Sequence, residues 1–353
     1  MRRSAAWWRP DRLARRRTRL DLRAKILEAT RAYFRERSFT EVETPALQVS
    51  PGLEPHLVAF STELRAPGAT RGRALYLHTS PEFAMKKLLA GGMERIFQLA
   101  RVFRNAERSA THHPEFTMLE WYRANAGYET LMDDCDGLLT AAAAAAGASA
   151  FAWGGRSCDP TLPAERLSVR AAFERHAGID LLATAPDPHQ PSVQRLTEAA
   201  RPLGVVPAQG DRWDDLFFRI FLEHIEPKLG VGRPTILYDY PVSMAALSRP
   251  KASDPRLCER FELYAAGLEL ANAFGELTDP AEQRRRFTAD LDLKQRLYGE
   301  RYPIDEDFLA ALEHGLPEAA GIALGFDRLV MLATGADHID DVLWAPVTGA
   351  EDE

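Results

Sequence analysis

The stretch RIFQLARVFRNAERSATHHPEFTMLEWYR, residues 95–123, decides the fold. RIFQLARVFR and EFTMLEWYR are aromatic and mostly apolar, and the polar segment Asn105–Pro114 separates them, which is the pattern of two antiparallel strands joined by a loop. Within the second strand, alternation puts Glu120 and Tyr122 on one face. A lone tyrosine in such a strand is more often core than site, so the pair carries the reading.

Upstream, LYLHT (75–79) reads as extended chain; Ser80 then serves as N-cap, Pro81 opens a helix and Gly91-Gly92 stop it. Still earlier, Leu22, Ile26, Leu27, Ala29, Tyr33 and Phe34 recur near helical spacing, and EVETPAL continues as an extended piece reaching Pro45.

Downstream of Asp133 the character changes: an alanine run at 141–146, then Pro-bearing stretches, then an apolar stripe of Trp213, Leu216, Phe217, Ile220 and Phe221 ending before Pro227. This region reads as a helical insertion at about 133–230. The last third supplies three strand-like runs, TILYDY, FELYAAGLELANAF and AAGIALGF, followed by a helix RLVMLAT closed by Gly335. Glu269 and Glu276, seven residues apart, would fall on opposite faces of a regular strand; a bend near Gly275 or a bulge is needed to bring them together.

The bulk properties narrow the class. At 353 residues, 46% hydrophobic and 27% charged, the chain suits one large domain, 1–353. No apolar run approaches the roughly 18 residues of a membrane span. Cys135, Cys158 and Cys258 lack C-x-x-C spacing and read as structural thiols of a reducing cytoplasm. Arg2, Arg3 and the run Arg15-Arg16-Arg17 have no apolar segment after them, so a solvated basic first helix is expected in place of a targeting signal, and APVTGAEDE reads as a simple acidic end. A net charge of −7 gives no support to a broad polynucleotide footprint.

Five pieces in order, TSPEF (79–83), FRN (103–105), HHPEFTMLEWY (112–122), LELANAFGEL (268–277) and GIALGFDR (321–328), resemble class II lysyl-tRNA synthetases, and more closely their shortened paralogues, the elongation factor P–(R)-β-lysine ligases. The resemblance runs over roughly residues 20–345. It implies an α+β class II synthetase catalytic core, an antiparallel sheet flanked by helices, without the N-terminal OB-fold, since EVETPAL begins only about forty residues in. It implies ATP and Mg²⁺, a lysine-like amino acid, elongation factor P as acceptor, and a homodimer formed around Pro45; tRNA and membrane are not expected partners.

Residue by residue, the resemblance places Arg104 at the α-phosphate and the reacting carboxylate, with Phe116 and Arg328 sandwiching adenine. Attack of a carboxylate on the α-phosphate concentrates negative charge that positioned guanidinium groups stabilise, which makes Arg104 and Arg328 the catalytic pair, one toward the α- and one toward the γ-phosphate. Asn105, Glu107, His113, Glu269, Leu270 and Gly325 complete the expected ATP set; Gly325 lets backbone approach the nucleotide, and Asp327 caps or orients the following helix. Ser80, Pro81, Glu82, Glu120, Tyr122, Glu276 and Ala323 form the expected amino-acid set, whose carboxylates suit a diammonium substrate. Glu269 and Glu276 are the expected Mg²⁺ carboxylates.

The pattern departs from the synthetases in three ways. Ala106-Glu107 stands where a glutamate follows FRN, and His113 where an asparagine precedes PEF; Glu107 then takes over an adenine contact and His113 replaces an amide near the phosphates. Ala323 stands where glycine is usual, and its methyl would narrow the place of an α-amino group in favour of a β-amino isomer. The missing tRNA reader leaves the adenylate to find another acceptor. Two other readings differ in chemistry: an enzyme charging tRNA or another amine, and a non-catalytic lysine- or nucleotide-binding paralogue.

Overall fold

The structure, a computed structural model, describes residues 6–347. Its centre is a nine-stranded sheet. In spatial order the strands are Thr40–Glu41, Arg95–Phe103, Glu115–Ala124, Ala319–Gly325, Leu268–Gly275, Asp254–Ala265, Thr235–Pro241 and Glu165–Ser168, with Pro250–Lys251 beside Asp254–Ala265. From Arg95–Phe103 to Thr235–Pro241 every pair is antiparallel, whereas the outermost strands, Thr40–Glu41 and Glu165–Ser168, join parallel. The sheet is therefore mixed at its edges and antiparallel where the motifs lie.

Period-two alternation sorts the side chains. Phe97, Leu119, Trp121, Phe261, Leu263, Ala271, Ala273, Ile322 and Leu324 belong to the main core cluster, with residues of the helices Pro10–Glu36, Tyr128–Ala146 and Phe326–Thr334. The opposite face carries the polar residues considered below.

Three sequence expectations need correction. FELYAAGLELANAF is two strands and not one: Ala266 and Gly267, with φ of 53° and 75°, form a tight turn between Asp254–Ala265 and Leu268–Gly275. Positive φ at both turn residues matches the twist of the flanking strands. The 133–230 region, expected as a helical insertion, carries strands as well as helices. Helix Tyr128–Ala146 packs on Pro10–Glu36 in the main core, and the rest includes the hairpin Phe151–Trp153/Arg156–Cys158 and the edge strand Glu165–Ser168. A second core, from Leu167 through Leu229, gathers helices Val169–Ala177, Val193–Ala200 and Trp213–Ile220 against the strand of Tyr240.

The first helix, Pro10–Glu36, is longer than its periodicity indicated and is not simply solvated. Arg16, 8% exposed, donates to the carbonyls of Asp340 (2.7 Å) and Leu343 (2.9 Å), so the side chain anchors the C-terminal segment. Arg2 and Arg3, and the tail from 348 onward, lie outside the described residues. Cys135, Cys158 and Cys258 are buried and unbridged, and no described helix is long and apolar enough to cross a membrane.

Candidate active site

One cavity of about 440 Å³ opens on the polar face of the sheet. Of the residues expected from sequence, Ser80, Glu82, Arg104, Glu107, His113, Phe116, Glu269, Leu270, Ala323, Gly325 and Arg328 line it. Pro81, Asn105, Glu120, Tyr122 and Glu276 do not reach its surface, though the last three lie directly behind it, as their contacts show.

At one end, the strands Arg95–Phe103 and Glu115–Ala124 pair Val102 with Phe116, and Arg104 N–H donates to Pro114 O at 3.0 Å to close the loop. The Arg104 guanidinium lies 5.3 Å from the Phe116 ring centroid, and its Nε is buried without an acceptor. A sealed, unsatisfied guanidinium N–H is a donor awaiting a ligand anion. Arg328 is held by Thr111 O (3.3 Å) and Glu269 O (3.0 Å), and its third nitrogen meets His112 Nε2 at 2.7 Å. Because arginine only donates, His112 Nε2 is the acceptor and Nδ1 carries the proton, 2.8 Å from Ser109 Oγ. Burial, then Arg328 and Arg104, push His112 down to about 4, which keeps it neutral.

The two adjacent histidines, both of which line the cavity, have different partners. His113 is turned into the chain: its Nε2 accepts from Val347 N–H at 3.1 Å and its Nδ1 sits 2.5 Å from Glu115 O. His112, not singled out from sequence, faces the arginines. Asn105 also departs from expectation, being exposed, with its Oδ1 spent on Ala106 N–H at 2.9 Å and its own N–H on Val58 O at 2.8 Å. Asp327 is not a cap; Gly325 occupies the N-cap position. Asp327 instead accepts from Thr117 N–H at 2.8 Å and pairs with Arg23, tying the first helix to both the 112–122 and the 321–328 segments. A Cβ on Gly325 would meet nothing closer than Arg328 Cδ at 3.6 Å, so any need for glycine there comes from a ligand.

The other end is acidic. The helix starts at Glu82, one residue later than its capping signals indicated, and Ser80 Oγ accepts from Glu82 N–H at 3.0 Å while donating to Glu120 Oε1 at 2.6 Å. Tyr122 OH donates to Glu120 Oε2 at 2.9 Å. Lys86, 1% exposed, is clamped between Glu82 and Glu276, the latter at 2.5 Å. Burial alone would lower its pKa; the two carboxylates outweigh that and hold it charged. Burial and Glu82 raise Glu120 to about 8, and burial raises Glu276 to about 7, against the pull of Lys86. Ala323 lies between these groups, paired with Glu120 on one side and Asn272 on the other.

A bulge does separate Glu269 from Glu276: Leu263 pairs with Ala271 but Tyr264 with Glu269, leaving Leu270 as the extra residue. The glutamates nonetheless serve different neighbours. Glu276 answers to Lys86 and Glu82, whereas the acid beside Glu269 is Glu262, across the hairpin. Glu262 is itself held by Tyr240 OH (2.6 Å), Tyr264 OH (2.5 Å) and Arg260 (2.7 Å). Burial and Glu262 raise Glu269 to about 7, and no side-chain donor hydrogen-bonds to it among the described residues. No cluster of three or more metal-ligating side chains exists among them either. A Mg²⁺ carried by phosphates needs only one or two carboxylates, which Glu269 with Glu262 fits better than Glu269 with Glu276.

Sequence reasoning missed Glu54, His112, Arg260, Asn272 and Phe274, all of which line the cavity. Alternation from Glu276 could have found Asn272 and Phe274; nothing local marks the others.

The family of tRNA synthetases class II (D, K and N) matches residues 4–349. The chain is 42% identical over 332 residues to the elongation factor P–(R)-β-lysine ligase of Vibrio cholerae, covering 93% of this chain and 95% of that one. It is 42% identical over 321 residues to the ligase of the same name from Histophilus somni (91% and 92% covered), and 41% over 328 residues to that of Haemophilus influenzae (93% and 94%). With the arginine-lined and acidic ends of one cavity in the places described, the chain belongs to the class II aminoacyl-tRNA synthetases of the D, K and N group and, within it, to the elongation factor P–(R)-β-lysine ligase family.

Proposed function

We propose that this protein activates (R)-β-lysine, or lysine, with ATP as the aminoacyl-adenylate and passes the acyl group to a lysine side chain of elongation factor P. The observation that carries the reading is electrostatic continuity: Arg104, with a free Nε, acts on both His112 at the nucleotide end and Glu54 at the acidic end. A cation at that junction is where a substrate carboxylate and an ATP α-phosphate must meet.

Arg104 stabilises the negative charge that develops as the carboxylate attacks phosphorus, and Phe116 supplies an aromatic face for adenine. Arg328, braced by Thr111, Glu269 and His112, holds its guanidinium in a fixed plane toward the nucleotide. Glu269, with Glu262 beside it, would hold Mg²⁺, which would supply neutralisation of phosphate charge. The acid groups Glu82, Glu120 and Glu276 exceed their one buried cation, Lys86, and this deficit suits a substrate bringing two ammonium groups. The Ala323 methyl, between Glu120 and Asn272, restricts where the reacting end's amine sits and favours the β-isomer.

Three buried, unbridged thiols suit a reducing cytoplasm. The segment around Pro45, where Leu47 is 45% exposed, serves a second copy of the chain, and sedimentation at micromolar protein tests the dimer. ATP–pyrophosphate exchange with lysine and (R)-β-lysine, followed by acceptor competition between elongation factor P and tRNA, tests the function. Exchange that needs no amino acid-like substrate, or label appearing on tRNA alone, would refute it.

A further inference from the structure

Glu54 stands in a segment pinned from several sides. Thr79 donates its N–H (2.9 Å) and hydroxyl (2.8 Å) to Pro51 O, and Leu57 N–H donates to Glu54 O at 3.2 Å. Lys294, fully buried, donates to Pro55 O (3.1 Å) and Leu57 O (2.6 Å). Gly52, at φ +123°, could not carry a side chain, because its Cβ would lie 2.6 Å from Thr79 Oγ1 and 2.9 Å from Glu54 Oε2. The segment is thus built to one conformation, and that conformation turns Glu54 into the cavity.

The carboxylate has nothing to meet there. Its Oε2 is sealed from solvent without a hydrogen bond, and the one donor acting on the group is its own backbone N–H. Its other acidic neighbours have partners: Glu82 and Glu276 share Lys86, and Glu120 has Ser80 and Tyr122. Acting on Glu54 electrostatically are two acids, Glu82 and Asp290, and the cations Arg104, Lys86 and Lys294, none of them hydrogen-bonded to its Oε2. Burial, then Glu82, push its carboxyl above the usual carboxylate range, against the pull of Arg104 and Lys86. A sealed carboxylate oxygen without a donor costs free energy that a bound cation would relieve.

We propose that Glu54 recognises a primary alkylammonium in the active-site cavity, a role that rests on the adenylation reading above. The ammonium belongs either to the amino acid being activated or to the acceptor lysine arriving at the adenylate; both present the same –NH₃⁺, and the two half-reactions separate them.

The test is Glu54→Gln, isosteric with the protonated acid, beside Glu54→Asp, which keeps the charge. Exchange is titrated with lysine, (R)-β-lysine and ATP, and single-turnover transfer from preformed adenylate to elongation factor P is followed by intact mass. Recognition of the amino acid raises its KM in Glu54→Gln at least tenfold with the ATP KM within twofold. Recognition of the acceptor leaves exchange unchanged and slows transfer at least tenfold. In either case Glu54→Asp recovers part of the loss. Both half-reactions within twofold of the parent, or ATP and amino-acid KM rising together, would overturn the assignment. A parent protein without amino-acid-dependent exchange would instead overturn adenylation itself.

Discussion

Gly321→Ala is the sharpest probe of the acidic end. A Cβ at position 321 would lie 2.1 Å from Tyr122 Cε1, 2.3 Å from Cδ1 and 2.4 Å from Glu276 Oε1. Non-bonded carbons settle near 3.5–4.0 Å, so the Tyr122 ring must retreat by more than about 1 Å. It has no room: Tyr122 is 3% exposed, and its hydroxyl is fixed 2.9 Å from Glu120 Oε2. Overpacking of this kind costs about 1–3 kcal/mol. Leaving the buried Tyr122 hydroxyl without its Glu120 partner costs about 1–3 kcal/mol more. The variant should therefore be about 2–6 kcal/mol less stable. If the displaced Tyr122–Glu120–Glu276 group forms the ammonium site, the hydrogen-bond share alone raises the amino-acid KM roughly 5- to 150-fold, at 1.4 kcal/mol per factor of ten. The ATP KM should stay within about twofold, because Arg104 and Phe116 sit on different strand positions. Thermal unfolding and exchange kinetics measure both quantities. A Gly321→Ala protein as stable as its parent, with an unchanged amino-acid KM, would refute this packing.

Other consequences are as direct. Glu120 and Glu276, raised by burial from 4.5 to about 8 and 7, hold protons in the free protein that the unfolded chain releases, so their contribution to stability is full below about pH 4.5 and is lost as pH rises from there through the folded values. The melting temperature of the free protein should fall between about pH 4.5 and 8 and level off above, with saturating lysine reducing the fall; calorimetry in buffers of different ionisation enthalpy should detect protons released on lysine binding, and a flat profile without release would contradict the assignment. Ala323→Gly should shift the ratio of kcat/KM for (R)-β-lysine over lysine toward lysine by about 10-fold or more, the worth of one methyl at a close-packed site, and an unchanged ratio would sink that role. Asp340 grips Arg108 through paired contacts of 2.7 and 2.6 Å while Ile339 N–H donates to Ala110 O at 2.8 Å, so the C-terminal segment positions the loop carrying Glu107 and His112. Asp340→Asn should raise the ATP KM about tenfold, consistent with weakening a buried charge pair, and leave the amino-acid KM within twofold; equal rises in both would show a merely structural role.

The acid groups explain why one substrate class fits. Lys86 spends its charge on Glu82 and Glu276, Glu120 shares a hydrogen-bonded network with Ser80 and Tyr122, and Glu54 has no donor outside its own backbone. Buried carboxylates in this number call for protons or cations, and under the proposed function an amino acid with two ammonium groups brings the cations.

What the sequence determined by itself was whatever depends on neighbours along the chain. Alternation in EFTMLEWYR placed Glu120 and Tyr122 on one face; the polar break between two apolar runs placed the loop; and seven-residue spacing demanded the irregularity found at Leu270. The tertiary structure decided everything set by contacts between distant segments. His112 and His113 are adjacent in sequence, and what each meets is set by Arg328, 216 positions from the first, and by Val347, 234 positions from the second. Arg16 reads as solvated charge until Asp340, 324 positions away, supplies a carbonyl. Glu262 acts on Glu269 because a turn at Ala266-Gly267 folds one apparent strand onto itself. Local periodicity fixes which way a side chain points; only the packed chain fixes what it meets, because burial makes each partner's charge count.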